Sequence, residues 1–280
     1  MTVRIVTDSA CDLSEALVEA HRISVVPLAI RFGEQEFIDR EELTTAEFWS
    51  RCAAQTTLPE TAAPAPGQFE TTYRRLADEG ATGIVVISLS GALSATMQAA
   101  ELAARSVSDL VPVKVVDSRS VSLGLGTIVL AACRSAERGD SLDEVADLAT
   151  VLATRTKVFG ALDTLENLKK GGRIGNAKAF LATALSIKPI IEVVDGVVEE
   201  AGRQRTRSKA MKFLVEQVRR HGDGVQDLAV LHADCADVDE FVDMLRPVFD
   251  GEIVVGQIGP VIGTHAGRGT IGVAFNVEPG

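Results

Sequence analysis

The sequence predicts an α/β protein built from two α/β domains whose sheets are mainly parallel. The chain has 280 residues, more than one domain usually holds. In its first half, short apolar segments alternate with segments of helical periodicity, which is the pattern of strand–helix–strand units. Hydrophobic residues make up 46% of the chain and aromatic residues only 4%, so Val, Ile, Leu and Ala must build the core. Such a core suits parallel sheets covered by helices.

The N-terminal segments alternate in this way. Val3 to Thr7 is a predicted strand, and Asp12 to Glu15 opens a helix with the spacing of a capping box. Ser24 to Ile30 is predicted to be a second strand, with Glu36 to Ile38 pairing back as a hairpin arm. Thr44 to Glu47 is another capping box and predicts a second helix.

The segment that follows is rich in proline and then turns apolar. Two prolines and a glycine within residues 61–67 predict a stiff, extended loop, because proline lacks an amide N–H and has a fixed φ. Gly83 to Ser88 and Val113 to Asp117 are continuously apolar or nearly so, as strands buried on both faces are. The polar loops Ser90–Thr96 and Ser118–Ser120 follow these strands and lead into helices.

The second half of the chain shows a different pattern of strand and turn signals. Val158 to Leu162 is a predicted strand, Lys169 to Arg173 is a basic glycine turn, and Asp195-Gly196 is a strong hairpin signal. Gly259 to Gly269 is predicted to be a glycine-rich loop. Further strands are predicted at residues 227–232, 252–258 and 270–275. We place the domain boundary near residue 156, which gives an N-terminal domain at 1–155 and a C-terminal domain at 156–280.

Charge and composition exclude several classes of protein. The formal net charge of −11 argues against a nucleic-acid partner, because phosphates attract basic surfaces. The N-terminus lacks the apolar run of a signal peptide, and no stretch approaches the roughly 20 apolar residues that span a bilayer. We therefore expect a cytoplasmic protein. The four cysteines are scattered, so neither disulfides nor a metal site is expected, and no cofactor is expected.

Three polar segments are candidates for ligand binding: the loop at Thr61, the loop carrying Ser90 and Ser94, and the glycine loop around His265. Hydroxyls and free amides at a helix N-terminus suit an anion, and a histidine can donate to a carboxylate. Each feature also has a structural explanation, because the serines could be N-caps and the glycines could form a tight turn. The motifs of P-loops, zinc proteases and nucleophile elbows are missing from the sequence.

Taken together, these segments resemble the DegV family over nearly the whole chain. The matching motifs are the T-D-S-x-x-D-L type opening at residues 7–13, the proline loop at 61–69, the segment 87–99, Val116–Ser118, Gly171–Arg173, Lys188–Gly196, Arg205–Arg207 and Gly263–His265. Each motif alone is weak, and their order and spacing carry the resemblance.

The resemblance implies a carrier without catalytic activity of its own. A long-chain fatty acid would lie in a buried tunnel at the domain interface, its carboxylate held by Thr61, Ser94, His265 and Ser90. A separate dihydroxyacetone-kinase-like subunit would phosphorylate the acid to acyl phosphate for phospholipid metabolism. The partner docking site would be at two arginines, Arg173 and Arg205. A transient contact with a membrane surface would also suit such a carrier.

The sequence departs from the family pattern at five positions. Ala62, Ala65 and Gly91 replace serines, Ala95 replaces a glycine and Met97 replaces a tyrosine. Two hydroxyls near the predicted head group are therefore missing. Two other functions stay open at this point. One is a small-molecule transferase that acts on a sugar phosphate or a hydroxyacid, and the other is a regulatory protein that senses a lipid.

Overall fold

The computed structural model describes residues 2–55, 57–182 and 187–278. Within these residues the chain forms three sheets and their covering helices, which confirms the α/β class. The strands are β1 (Val3–Asp8), β2 (Ser24–Val26), β3 (Ala29–Phe32), β4 (Gln35–Ile38), β5 (Glu60–Ala62), β6 (Gly83–Ser88), β7 (Val113–Asp117), β8 (Thr156–Ala161), β9 (Lys188–Val194), β10 (Val197–Gln204), β11 (Val225–His232), β12 (Val254–Gln257) and β13 (Ile271–Val277). The helices are α1 (Glu15–Ala20), α2 (Thr45–Ala54), α3 (Pro66–Asp78), α4 (Thr96–Ser106), α5 (Ser122–Glu137), α6 (Leu142–Ala153), α7 (Glu166–Lys170), α8 (Arg207–His221), α9 (Val238–Leu245) and α10 (Pro260–Ala266).

The first sheet is parallel, as predicted. Its strand order is β2-β1-β6-β7, and all six residues of β6 are buried. Side chains of α3 and α4 cover one face of this sheet, and α5 packs against the other face. Because the strands are parallel, their carboxyl ends lie at one edge, where Asp8, Ser88 and Asp117 end β1, β6 and β7.

The second sheet has six strands in the order β10-β9-β8-β13-β11-β12. Only the pair β11–β12 is parallel, so the expectation of mainly parallel sheets is wrong for this sheet. The reason is topological. A tight turn at Asp195-Gly196 forces β9 and β10 to be antiparallel, and β13 inserts antiparallel between β8 and β11. A bulge interrupts the β9–β10 pairing between Glu200 and Gly202.

The third sheet, of order β4-β3-β5, corrects two expectations. The predicted strand Ser24–Ile30 is split into β2 and β3 around Pro27, whose missing N–H cannot join a ladder. Thr61, predicted to be in a loop, belongs to β5 and pairs with Ile30 of β3. The prolines come later, and Pro66 occupies the first turn of α3, where its missing amide costs nothing.

The C-terminal glycine segment is also more ordered than predicted. Residues 260–266 form α10, with Pro260 in its first turn. Gly267 has a φ of +83° and follows the last residue of the helix. The one glycine inside α10, Gly263, therefore does not prevent a short helix, and glycine is needed where the chain leaves it.

Helix α5 packs between the first and second sheets, and all but three of its 16 residues are buried. Its glycines permit this close approach. A Cβ on Gly126 would lie 2.8 Å from the carbonyl oxygen of Cys11, and one on Gly124 would collide with Val158 of β8. The strands of the second sheet begin at Thr156. A division into domains at residue 155 stays a prediction. In the described part of the chain, no helix is both long and apolar enough to cross a membrane.

We predict that Gly124→Ala lowers the free energy of unfolding by about 1–3 kcal/mol, because the added methyl group overpacks the contact with Val158. The gain of about 0.5–1 kcal/mol that alanine brings to a helix interior is too small to offset this. Urea unfolding measures the difference. Gly67→Ala in α3 is the matched control, since a Cβ there meets nothing within 4 Å, and its stability should not fall.

Candidate functional site

The candidate site is an apolar cavity between the two halves of the chain. The empty space between its lining atoms amounts to about 870 Å³, including its opening to solvent. Among the described residues that line it, four have polar side chains: Thr61, Ser94, Arg173 and His265. We refer to these four as the polar cluster. The apolar lining residues are Leu28, Ala63, Leu89, Leu93, Ala95, Val121, Leu162, Leu168, Ile191, Val193, Val198, Val261, Ile262 and Ala266.

Thr61 and His265 are 204 positions apart in the chain and in direct contact. The Thr61 Oγ1 and His265 Nε2 atoms are 3.0 Å apart, which is hydrogen-bonding distance. Strand β5 positions the threonine and α10 positions the histidine. The imidazole packs against Gly171, where any Cβ would collide with Nδ1. The glycine of the basic turn is therefore required by the histidine beside it.

His265 is uncharged at neutral pH. Burial, together with the positive charge of Arg173, lowers its pKa to about 4. A neutral imidazole has one N–H, so the contact with Thr61 has two arrangements. Either the hydroxyl donates to Nε2, or Nε2–H donates to the hydroxyl. In the second arrangement the threonine proton is left to donate to a ligand carboxylate.

Ser94 lies at the start of α4. Its Oγ accepts a hydrogen bond from the Thr96 amide at 3.3 Å and lies 2.9 Å from the Thr96 hydroxyl. The N-cap of α4 is Ala95, so the N-cap role that the sequence offered for this serine is not the one it has. Ser94 lines the cavity, and its hydroxyl oxygen can accept from Thr96 while its proton donates elsewhere.

Arg173 lies in the cavity lining, although the sequence singled it out for partner docking. Its Nε donates to the Leu93 carbonyl at 3.2 Å, and its Nη1 donates to the Gly171 carbonyl at 2.6 Å. The guanidinium thus connects the glycine turn to the Ser94 loop. The basic turn predicted a positive charge correctly. Nothing in the sequence of that turn indicated that Arg173 lines a cavity.

The structure does not bring every predicted residue to the cavity. Ser90 is fully buried, donates to the Gly196 carbonyl at 2.7 Å and is not in the lining. Arg205 is exposed between β10 and α8 and is not in the lining. Among the described residues, no group of three His, Cys, Asp or Glu side chains could hold a metal ion.

The sequence did not identify the apolar walls of the cavity. Ile191 and Val193 are two positions apart in β9, so they face the same side of the strand. This alternation was visible as a strand signal. An ordinary core would show the same pattern, so the sequence could not distinguish residues that line a cavity from residues that fill a core.

The family model of the uncharacterised DegV family proteins matches residues 2–278. This chain belongs to the DegV family. A DegV domain-containing protein from Streptomyces coelicolor is 39% identical over 279 residues, which cover 98% of each chain.

Two solved DegV structures have the same fold. One is described as fatty acid binding of a DegV family protein from Thermus thermophilus. It has a TM-score of 0.90 at 35% identity and covers 99% of this chain and all of the other. The other is a DegV lipid binding protein from Thermotoga maritima, with a TM-score of 0.89 at 27% identity and 99% of each chain covered. The resemblance found in the motifs is therefore confirmed.

We predict that Arg173→Gln raises the pKa of His265 from about 4 but not to its ordinary value of 6.5, because burial is the larger cause of the shift. An NMR titration of the imidazole nitrogens measures this pKa. Lys170→Ala, which removes an exposed charge from the same turn, should leave it unchanged. An identical His265 titration in the Arg173→Gln variant would contradict the assigned electrostatic contact.

Proposed function

We propose that this DegV protein binds a long-chain fatty acid in the cavity and presents its carboxylate to a separate kinase subunit. The kinase, of the dihydroxyacetone-kinase-like type, would phosphorylate the acid to acyl phosphate. The DegV chain would be a carrier that supplies no catalytic group. Under this proposal both proteins act in the cytoplasm, and the acyl phosphate enters phospholipid metabolism. A transient contact with a membrane surface would let the carrier load or release its lipid.

The observation that carries the proposal is the composition of the cavity lining. Fourteen of the described lining residues are apolar, and the polar cluster offers hydrogen-bond donors: two hydroxyls, a guanidinium and an imidazole. None of the described lining residues carries a carboxylate, so an anionic head group meets no like charge from them. A long apolar body with one small anion at its end fits both features.

Apolar burial can supply most of the binding free energy. Burying about 15 methylenes at about 0.8 kcal/mol each gives an upper figure of about 12 kcal/mol. The loss of ligand freedom lowers that figure substantially. A few hydrogen bonds therefore suffice to orient the carboxylate, which is consistent with the loss of family serines at Ala62 and Gly91. The names of the Thermus and Thermotoga relatives support the same class of ligand.

Within the polar cluster, we assign the carboxylate to Thr61, Ser94 and His265, with Arg173 as its nearest positive charge. The arginine interacts electrostatically with His265 and hydrogen-bonds the backbone beside Ser94, so it is close to the expected head group. Ser90 acts indirectly, because its hydroxyl holds the β9–β10 turn at Gly196. Arg205 is the better candidate for partner docking, since its side chain is exposed.

We predict that the protein purified from a bacterial host carries one fatty acid per chain, which native mass spectrometry followed by lipid extraction would identify. Thr61→Val and Ser94→Ala should each weaken binding of the acid by about 1.5–3 kcal/mol, because each removes a hydrogen bond to a charged group. The matched fatty alcohol should bind all three proteins with similar affinity. Repeated preparations without stoichiometric lipid, and without affinity for added acid, would refute the proposal.

Docking needs a separate measurement. We predict that Arg205→Ala leaves the affinity for fatty acid unchanged and lowers the rate of acyl-phosphate formation by the cognate kinase, because an exposed guanidinium can bind a partner carboxylate. Arg173→Ala should impair both steps. Arg220→Ala, which removes an exposed arginine from the other end of α8, is the control. A normal phosphorylation rate for Arg205→Ala would exclude this arginine from the docking surface.

A further inference from the structure

A cluster of buried aspartates lies outside the polar cluster, at the carboxyl end of β1. Asp8, Asp12 and Asp39 have exposed fractions of 0%, 4% and 1%. One cation, Arg40, interacts electrostatically with all three carboxylates. We refer to Asp8, Asp12 and Asp39 as the aspartate cluster. Carboxylates are rarely buried to this extent unless each has a charged partner, so three beside one guanidinium require an explanation.

Hydrogen bonds connect two of these carboxylates to distant segments. Asp8 accepts from the Leu89 amide at 2.8 Å and from the Ser88 hydroxyl at 3.1 Å. Asp12 accepts from the Ser122 hydroxyl at 2.6 Å and from the Gly259 amide at 3.0 Å. The aspartate cluster is thus bonded to the carboxyl end of β6, to the start of α5 and to the start of α10.

Asp39 acts through a serine. Ser9 interacts with its carboxylate and lowers its pKa, and the Ser9 Oγ accepts from the Leu28 amide at 3.1 Å. The backbone amide of Asp39 donates to the Leu28 carbonyl at 2.9 Å. One carboxylate oxygen of Asp39, Oδ1, is buried and has no hydrogen-bond partner among the described residues. This aspartate therefore fixes the segment between β2 and β3 while one of its own oxygens stays unsatisfied.

Four segments connected to the aspartate cluster carry apolar walls of the cavity. Leu89 donates to Asp8 directly and Leu28 donates to Ser9, while Val121 precedes Ser122 and Val261 is two positions after Gly259. All four apolar side chains are in the cavity lining. The positions of these walls thus depend on a common set of carboxylates.

The cluster carries too much negative charge when it is fully ionised. Three carboxylates would then face one guanidinium, leaving two negative charges in excess inside the protein. Burial raises the pKa of Asp8 and of Asp39 to about 6 and that of Asp12 to about 7. Burial also raises the pKa of Cys11 to about 11, so it stays an uncharged thiol. The packed segments from β6, α5 and α10 contribute only Ser88, Ser122 and backbone amides.

We propose that the aspartate cluster positions the cavity walls and couples them to protons, so that the protein releases its acyl chain more readily as the pH rises from 6 to 8. The inference rests on the proposed binding of a fatty acid in this cavity. Its physical basis is charge repulsion. Ionisation adds unpaired negative charge between the segments that carry Leu28, Leu89, Val121 and Val261, which pushes these segments apart.

The direction of this pH effect follows from the linkage between folding and proton binding. The native state holds protons on these aspartates at pH values where the unfolded chain has lost them, so the native packing is stabilised below the raised pKa values and loses that stability as the pH rises through them. A bound acyl chain keeps the four walls in their native places. Binding of the chain and binding of the proton therefore favour each other, and this coupling is reciprocal.

The test compares dissociation rates of a fluorescent polyene fatty acid at pH 6, 7 and 8. We expect the rate of the wild type to rise about fivefold or more across this range, which is the lower end of typical couplings. Asp12→Asn should reduce this rise, because Asp8 and Asp39 still titrate but the amide at position 12 does not. The amide oxygen can still accept from Gly259, and the amide nitrogen can donate to Ser122. Asp109→Asn removes an exposed carboxylate and should behave as the wild type does.

Asp39→Asn is a second variant that tests the same coupling if Asp12→Asn does not fold. The oxygen of Asp39 that lacks a partner can be replaced by an amide nitrogen without breaking a bond, and this variant should also reduce the rise in dissociation rate. The thermal midpoint of the unloaded wild type should fall from pH 6 to pH 8. A flat wild-type profile, or equal slopes in the wild type and both variants, would overturn the inference. Failure of the wild type to bind the probe at any pH would instead count against the proposed function.

Discussion

The packing of α5 between two sheets is the constraint on which the rest of the structure depends. Because this helix contacts strands of both sheets, it sets their separation at roughly the 10 Å width of a helix. Because the helix holds the two sheets apart, a space remains past its N-terminal end. Val121, the residue before the helix, lines the cavity there. The first turn of the helix supplies Ser122 to Asp12. One buried helix therefore separates the sheets, borders the cavity and contacts the aspartate cluster.

Local chemistry explains which elements the sequence could predict. The apolar strands β6 and β7, the Asp195-Gly196 hairpin and the capping box at Thr44 have the predicted bounds or nearly so, because each signal lies within a few consecutive residues. Strand direction in the second sheet depends on β13, which pairs with β8 from more than 100 residues away. No local pattern specifies such a pairing, and the expectation of a parallel sheet failed there.

The candidate site shows the same division between local and distant information. The motifs pointed to Thr61, Ser94 and His265, and the structure brings all three to one cavity. Their contacts depend on tertiary structure: His265 needs the missing side chain of Gly171, and Arg173 turns inward to the carbonyl of Leu93. Asp12 was predicted to open a helix. It is buried instead, and Ser14 caps α1, because only the folded chain places Ser122 and Gly259 near its carboxylate.

The bulge in β10 has a consequence for behaviour at high protein concentration. Strand β10 is an edge of the six-stranded sheet, and the segment Gly175–Ala182 packs against it, with Gly175 beside the backbone of Val198. Where this edge is not covered, its backbone groups could template a strand from another molecule. The register shift between Glu200 and Gly202 twists that edge, and the charged side chains of Glu200 and Arg203 stand beside it. A neighbouring molecule would have to bury these charges and match an irregular ladder. This part of the edge is thereby protected from intermolecular sheet growth.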